Sequence, residues 1–319
     1  MTEIIKGRKK GGMATVLYGT PGVGKSTLAA GAQNALFIGP EENAEMDIDR
    51  FPLVKTYAGL MKYLVELAQG KYKYKTLVLD SISGMERIIH NEICANEPGK
   101  SMSTALGGYG KAYDEAARRL WTIREALELV REKTQMNIIV IGHSVKTKLI
   151  DPILQTEYDV YDMSLHKNAR RDCNSFFTEW ASLVLFVNWA TYKPSDDKFA
   201  GAHGKRELLT EYRPSHLAKN RFGLPYKIEL ADKNGWDILQ KHIDNFYAGG
   251  KKEKPSSAEL QFLIKAFKDC FVQIKDESIK PTIQKRYNDC MAVADKDLAK
   301  GIEALDKTCK RMQEIISNQ

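Results

Sequence analysis

Eight residues near the N-terminus constrain the fold of this chain more than any other feature: Gly19 to Ser26 read G-T-P-G-V-G-K-S. The apolar stretch Met13–Tyr18 precedes them and predicts a buried strand, and a helix begins at about Thr27. Glycines let the backbone curl so that successive N–H groups can point at phosphate oxygens. Strand, loop and helix together predict a phosphate-binding loop rather than an ordinary glycine-rich turn.

The fixed positions of this loop have separate tasks. Lys25 is placed to reach the β- and γ-phosphates of a nucleotide, and the Ser26 hydroxyl is placed to ligate Mg²⁺. The sequence has no N-K-x-D motif for reading guanine, so we predict ATP and Mg²⁺ as the ligands. The predicted nucleotide contacts are Gly19, Thr20, Pro21, Gly22, Val23, Gly24, Lys25, Ser26 and Thr27.

Composition narrows the class of protein. No apolar run approaches the roughly 20 residues that a membrane helix needs, and the first residues lack the apolar core of a signal peptide. The lack of such a run predicts that the chain has no membrane partner. The five cysteines form no C-x-x-C pair, which indicates neither a zinc site nor a disulfide framework and favours a reducing cytoplasm. The net charge of +7 permits nucleic-acid binding without requiring it.

Apolar strands alternate with helical patterns along the first 230 residues, which predicts an α/β fold with a mostly parallel sheet flanked by helices. Apolar residues at helical spacing predict helices over about 57–69 and 111–133. Arg206–Glu211 and Tyr226–Leu230 predict a closing hairpin. The remaining predicted strands cover 13–18, 35–39, 76–80, 137–142 and 182–187.

A change of composition divides the chain. Residues 249–255 are rich in glycine and lysine and end in proline, as linkers do. Ser256 and Glu259 then form a capping box that predicts a helix, and two further helical stretches follow near 279–293 and 296–316. We therefore predict an ATPase core over 1–248 and a small helical module over 256–319, which could bind a protein partner.

Acidic residues at strand ends complete the predicted nucleotide site. Asp80 ends an apolar strand, where a carboxylate can hold Mg²⁺. The next residue is Ser81 rather than a glutamate, so the group that activates water must lie elsewhere. Glu41 and Glu42 follow a neighbouring strand and are both candidates. His143 ends another strand at the same edge, where it could sense the γ-phosphate or simply cap the strand.

Three further segments resemble the RecA-like recombinases, in particular the short phage proteins that consist of the core alone. Leu79–Ile82 resembles that branch's strand-Asp-Ser element, and Phe37–Glu41 resembles the strand that carries its catalytic glutamate. Lys219–Pro225 is similar to its Lys-Asn-(Lys/Arg) segment. The resemblance covers about residues 13–230 and implies a RecA-like P-loop core.

The resemblance also implies roles for single residues. It places the catalytic role on Glu41, and it implies that Lys219 and Arg221 reach the ATP site of a neighbouring subunit. A homo-oligomer, either a filament or a ring, follows from that arrangement. An alternating Lys-x-Arg pair in an extended segment also places both cations on the same side of the chain.

The family's DNA groove is lined by two loops, which here would cover about 100–111 and 146–171. Cations can neutralise phosphates, and the interleaved Tyr158 and Tyr161 could stack on unpaired bases. The second segment also holds four acidic residues, so without the resemblance it is typical of a solvated surface loop. The predicted DNA contacts are Lys146, Lys148, Lys167, Arg170 and Arg171.

Two functions are compatible with these patterns. The first is a DNA-stimulated ATPase that acts on single-stranded DNA in homologous recombination or annealing. The second is a replication helicase loader or partner-switch ATPase that acts through the helical tail. Stimulation of hydrolysis by DNA would favour the first, and capture of a helicase through the tail would favour the second.

Overall fold

The computed structural model describes residues 11–97, 99–150, 155–168, 171–192, 201–230, 235–248 and 257–317. The chain divides into two compact units, Met1–Tyr247 and Ala248–Gln319. The predicted linker over 249–255 lies outside the described residues. None of the helices in the described part of the chain is both long enough and apolar enough to cross a membrane.

The elements of the described chain follow one another as alternating strands and helices. The strands are β1 (Ala14–Gly19), β2 (Ala35–Ile38), β3 (Asp49–Arg50), β4 (Thr76–Asp80), β5 (Asn137–Ile150), β6 (Glu157–Met163), β7 (Lys167–Asn168), β8 (Arg171–Asp172), β9 (Leu183–Tyr192), β10 (Gly201–Leu209), β11 (Lys219–Asn220) and β12 (Lys227–Leu230). The helices are α1 (Lys25–Ala30), α2 (Tyr57–Ala68), α3 (Ile82–Ala95), α4 (Lys111–Thr134), α5 (Cys173–Thr178), α6 (Gly235–Tyr247), α7 (Ser257–Gln273), α8 (Lys280–Lys296) and α9 (Leu298–Ser317).

The central sheet has the order β12-β10-β9-β1-β5-β4-β2-β3. The pairs from β9 to β3 are parallel, and β10 and β12 extend the sheet as an antiparallel edge. The prediction of a mostly parallel sheet with a closing hairpin is confirmed. β5 lies between β1 and β4 in the sheet, so its carboxyl end lies between the strand ends that lead into the phosphate loop and into Asp80.

The strands are buried on both faces because alternate side chains enter two separate cores. On β1, Val16 and Tyr18 pack in one cluster with residues of α2, α3 and α4. Leu17 packs in the other cluster with Leu28 of α1 and Leu239 of α6. Helices therefore cover both faces of the sheet, and the loops at its carboxyl edge remain accessible to a ligand.

The prediction of a loop over 146–171 is wrong, because much of this segment forms paired strands. β5 continues to Ile150 and pairs in antiparallel fashion with β6, so that Lys146 faces Tyr161 and Lys148 faces Asp159. A second, two-stranded pairing joins β7 and β8. In this hairpin, residues that favour strands alternate with charged residues. The high content of charged residues is typical of a loop, but cross-strand pairs stabilise the strands.

Glu86 on α3 is a buried carboxyl group inside the first core. It is 8% exposed, and its Oε1 accepts a hydrogen bond of 2.8 Å from the backbone N–H of His166. Burial raises the pKa of Glu86 from 4.5 to about 7. The folded protein therefore holds a proton that the unfolded chain releases between those pH values, and stability falls as the pH rises through this window.

We expect Glu86→Gln to remove this pH dependence. Glutamine keeps the oxygen that accepts the His166 N–H but never ionises, so at pH 8 the variant should be more stable by about 3 kcal/mol at most. Near pH 5 the two proteins should unfold at nearly the same urea concentration. Tryptophan fluorescence measures this, because all four tryptophans lie in the first unit. A constant difference between pH 5 and pH 8 would contradict the expectation.

The second unit is a three-helix module with its own core. Phe267 of α7 stacks on Tyr287 of α8 with ring centroids 4.5 Å apart, and Leu305 of α9 is fully buried beside them. Gly301 of α9 packs directly against the backbone of Ala294, where a larger side chain would overlap. The three predicted tail helices are present. The capping residue Ser256 lies outside the described residues.

We expect a chain truncated after residue 250 to fold and to bind nucleotide. The two cores of the first unit are built entirely from residues before Ala248. The thermal midpoint followed by tryptophan fluorescence should stay within a few degrees of the full-length value, and ADP affinity should be unchanged. Aggregation of the truncated chain on expression would show that α7–α9 are required for the core to fold.

Candidate nucleotide site

The phosphate loop joins β1 to α1 as its sequence predicts. Gly24 adopts a left-handed conformation, with φ 86° and ψ 31°, and directly precedes α1. Lys25 is 6% exposed, and its Nζ donates hydrogen bonds to the carbonyls of Gly19 (3.1 Å) and Thr20 (2.9 Å). Burial lowers the pKa of Lys25, while the carboxylates of Asp80 and Glu41 oppose that shift. A phosphate would replace two neutral acceptors of this ammonium group with charged oxygens, which bind it more strongly.

Asp80 ends β4 beside the loop and contacts it directly. The Ser26 hydroxyl donates to Asp80 Oδ2 over 2.6 Å, and the Asn43 amide donates to the same oxygen over 3.1 Å. Burial raises the pKa of Asp80, which is 4% exposed, and both hydrogen bonds oppose that shift. A buried carboxylate held by two neutral groups beside a hydroxyl is a hard oxygen donor set that suits Mg²⁺. Ser26 and Asp80 would hold that ion.

A sharp turn after β2 positions Glu41. Gly39 has φ 150°, and a Cβ there would overlap the carbonyl oxygen of Asp80, so the position requires glycine. The Glu41 N–H donates to the same carbonyl over 3.2 Å. The close approach of this turn to β4 brings the Glu41 side chain to the carboxyl edge of the sheet, next to Asp80.

Three polar groups converge on one oxygen of Glu41. Oε1 accepts a hydrogen bond of 2.9 Å from the Ser81 hydroxyl, and it lies 3.3 Å from the Arg87 guanidinium and 3.6 Å from His143 Nε2. The His143 imidazole, together with Ser81 and Arg87, holds the pKa of Glu41 at about 2 against the opposing effect of burial. Glu42 is exposed. Of the two candidate glutamates, Glu41 is therefore the one held in a fixed position beside Asp80.

His143 links the phosphate loop to Glu41. It lies opposite Gly19 in the pairing of β1 with β5, and its N–H donates to the Ser83 hydroxyl over 3.1 Å. Its buried Nδ1 has no hydrogen-bond partner among the described residues. The side chain thus lies close to Glu41, and it does so from a strand that continues to Ile150.

A comparison with protein families gives a match over residues 12–222 to the AAA domain. The chain belongs to this AAA domain family. The match contains the loop, Asp80, Glu41 and His143, and it ends just after Arg221. No curated protein matches the chain in sequence.

The AAA domain is a P-loop ATPase domain, which implies that the chain binds and hydrolyses ATP. The predicted P-loop ATPase is confirmed at this level. The resemblance to RecA-like recombinases is narrower than the family match and stays a prediction.

The other two predicted ATPase residues lie outside the cluster around Glu41. Lys219 Nζ donates to the carbonyls of Thr178 (3.1 Å) and Glu179 (2.7 Å), so it caps the end of α5 within its own chain. Burial lowers the pKa of Lys219, and the nearby Arg221 adds to the effect. Arg221 is exposed. The two cations therefore have different surroundings: Lys219 is hydrogen-bonded within its own chain, and Arg221 is exposed.

The cations predicted to bind DNA lie on or near the β5–β6 hairpin and the β7–β8 pair. Arg170 is outside the described residues. The other four form ion pairs within the chain, and these pairs would have to open for phosphates to bind. They are Lys146–Asp159, Lys148–Glu157, Lys167–Asp172 and Arg171–Asp114.

Sequence reasoning missed the residues that hold the site together. Ser81 accepts a hydrogen bond from Gly84 N as the N-cap of α3 while its hydroxyl donates to Glu41. Asn43 reaches Asp80 from the loop after β2, and Arg87 reaches Glu41 from α3. The serine after Asp80 carried a usable signal, because serine commonly caps a helix. The other two contacts depend on how the turn after β2 packs against α3.

Proposed function

We propose that this AAA domain protein hydrolyses ATP while assembled on single-stranded DNA and promotes pairing or annealing of strands in recombination. The observation that carries the proposal is the continuity of β5. One strand holds His143 beside Glu41 and then extends into the hairpin that carries Lys146 and Lys148. A nucleotide-dependent shift at His143 would therefore reach the hairpin through a single hydrogen-bonded strand.

Hydrolysis relies on placement more than on strong basicity. Ser26 and Asp80 would hold Mg²⁺, which would supply positive charge to offset the charge that develops on the phosphate oxygens. Glu41, with a pKa near 2, is ionised at neutral pH but is a weak proton acceptor. Its task is to orient the attacking water, which suits a loose transition state that gains little from early proton removal. Lys25 supplies positive charge at the phosphate loop.

Exposed groups support a nucleic-acid ligand for the hairpin. The side chains of Lys146 and Lys148 are 58% and 68% exposed despite their ion pairs. Tyr109, on the other segment predicted to line the DNA groove, is 97% exposed and lies among glycines with positive φ. Such a ring can stack on an unpaired base, and exposed surface ion pairs are weak enough to exchange for phosphates.

Two double variants with opposite effects test the proposal. Lys146→Gln/Lys148→Gln removes cations and should weaken binding to a labelled oligo-dT by about 10-fold or more at low salt. The slope of log K against log salt should fall by about 0.7 for each phosphate that is no longer neutralised by a lysine. Glu157→Gln/Asp159→Asn frees the same lysines from their partners and should tighten binding. The stimulation of the ATPase rate by the oligonucleotide should fall in the lysine variant and rise in the variant that lacks the acidic partners.

Lys300→Gln/Lys307→Gln is the matched control. It removes two lysines of α9 that also form ion pairs, with Asp297 and Glu303 of the second unit. It should leave DNA binding unchanged. Equal DNA affinity in all variants, with no stimulation of hydrolysis by DNA, would instead favour an ATPase that switches a protein partner through α7–α9.

We expect Arg221 to act on the ATP site of a neighbouring subunit. Arg221→Ala alone should lose DNA-stimulated hydrolysis by about 10³-fold, the lower end for an arginine supplied to a γ-phosphate. Mixing this variant with Lys25→Ala should restore part of the rate, because each protein supplies what the other lacks. Lys219 is not substituted, because the loss of its hydrogen bonds to α5 would change stability as well as activity.

Arg118→Ala, an exposed arginine paired only with Glu115 among the contacts described, serves as the control and should retain the full rate. A normal rate for Arg221→Ala by itself would exclude the role across a subunit boundary.

A further inference from the structure

Arg206 lies against the phosphate loop from a strand that plays no part in the site described above. On β10 it is opposite Trp189 of β9, and Val187 of β9 is opposite Gly19 at the end of β1. Arg206 therefore leaves the sheet just beyond the carboxyl end of β1. Leu208, two residues further on, is buried with the residues of α1, so both side chains project on the α1 side of the sheet.

The guanidinium group occupies the space that Gly24 leaves open. Nη1 touches the position where a Cβ on Gly24 would lie, and Cζ and Cδ are 3.5 Å and 3.8 Å from it. Gly24 is the loop residue just before Lys25, and its N–H belongs to the group that cradles phosphates in such loops. The positive charge of Arg206 is thus in contact with the backbone that would hold a nucleotide.

The order of the sheet decides which phosphates Arg206 can reach. Glu41, His143 and Asp80 approach the loop from β2, β5 and β4, which lie on one side of β1. Arg206 approaches from β10, on the other side of β1, beyond β9. With Glu41 proposed to act at the γ-phosphate, the opposite side of the loop is left for the α- and β-phosphates.

We propose that Arg206 is a nucleotide-binding residue that contacts the α- or β-phosphate of the nucleotide bound to its own chain. The proposal rests on the ATP site and names a further ligand of it. A guanidinium can donate two parallel hydrogen bonds to phosphate oxygens, which also fixes the position of the diphosphate. Because ADP and ATP share these phosphates, Arg206 sets affinity for both, whereas Glu41 governs turnover.

The test compares Arg206→Gln, Arg206→Lys and Lys205→Gln in the full chain. Lys205 is the neighbouring cation, 68% exposed and paired with Glu229, so its loss controls for net charge. Arg206→Gln should raise the Kd of ADP and of ATP by the same factor, about 10- to 100-fold. Arg206→Lys should recover part of the affinity. Lys205→Gln should bind as the wild type does, and all four ligand-free proteins should melt at the same temperature.

Inorganic pyrophosphate separates a phosphate contact from a contact with the sugar or base. As a competitor of labelled ADP it should lose affinity for Arg206→Gln by a factor similar to that for ADP. Unchanged pyrophosphate binding, unchanged ADP binding, or a loss of ADP binding that comes with a lower melting temperature would each overturn the proposal. If the wild-type protein itself fails to bind ADP, the result contradicts the proposed ATP site rather than the role of Arg206 within it.

Discussion

Lys25→Ala is expected to abolish measurable nucleotide binding at millimolar ATP and to reduce hydrolysis by about 10³-fold or more. The Lys25 ammonium group is buried in the loop and held by the carbonyls of Gly19 and Thr20. Removal of the lysine deletes the positive charge that would attract the phosphates, and it leaves both carbonyls without this donor.

Folding must be separated from binding in this experiment, because Lys25 also bridges two carbonyls of its own loop. Lys25→Met keeps most of the buried side-chain volume without the charge, and it should lose nucleotide binding as fully as alanine does. The melting temperatures of the ligand-free proteins should stay within a few degrees of one another. Isothermal titration with ADP gives the affinity directly. Near-normal hydrolysis by a folded Lys25→Ala protein would remove the basis for the whole site.

The phosphate loop and Asp80 could be predicted from the sequence because their chemistry is fixed by spacing. A loop of eight residues between a strand and a helix leaves few positions for Lys25 and Ser26. The three residues before Asp80, Leu77–Leu79, are all apolar. Glu41 and Glu42 both followed from a weaker rule, that the carboxyl ends of parallel strands meet at one edge, and the resemblance to RecA-like proteins favoured Glu41. The structure adds the turn at Gly39, which places Glu41 beside Asp80.

The hairpin after His143 could not be predicted because its stability depends on pairing. Lys146 and Lys148 look like solvated loop residues until β6 provides Asp159 and Glu157 as partners. The contacts of Lys219 within its own chain could not be predicted for a related reason. Its ammonium group is held by carbonyls at the end of α5, a short helix about 40 residues earlier in the chain. Contacts of such sequence separation leave no local pattern.

Glu41→Gln should separate ATP binding from hydrolysis. Glutamine has nearly the same shape and keeps an oxygen for Ser81, but it loses the negative charge that orients water. Turnover should therefore fall by about 10²- to 10⁴-fold, while the Kd for ATP changes little. Glu42→Gln, one residue away and exposed, is the matched control and should turn over normally.

The pH dependence gives a second check on the role of Glu41. Because its pKa is depressed to about 2, the carboxylate is ionised in the folded protein at every pH above about 3. Glu41 itself should then cause no loss of rate near pH 4.5, where an ordinary glutamate would take up a proton, and an acid loss in that range would belong to another group such as Asp80, whose pKa burial raises. Arg87→Ala removes one of the groups that stabilise the negative charge of Glu41, so the pKa of Glu41 should rise. Any loss of rate caused by protonation of Glu41 should then begin at a higher pH. Stalled turnover in Glu42→Gln with normal turnover in Glu41→Gln would reverse the assignment, and the turn at Gly39 would then position a residue with no part in hydrolysis.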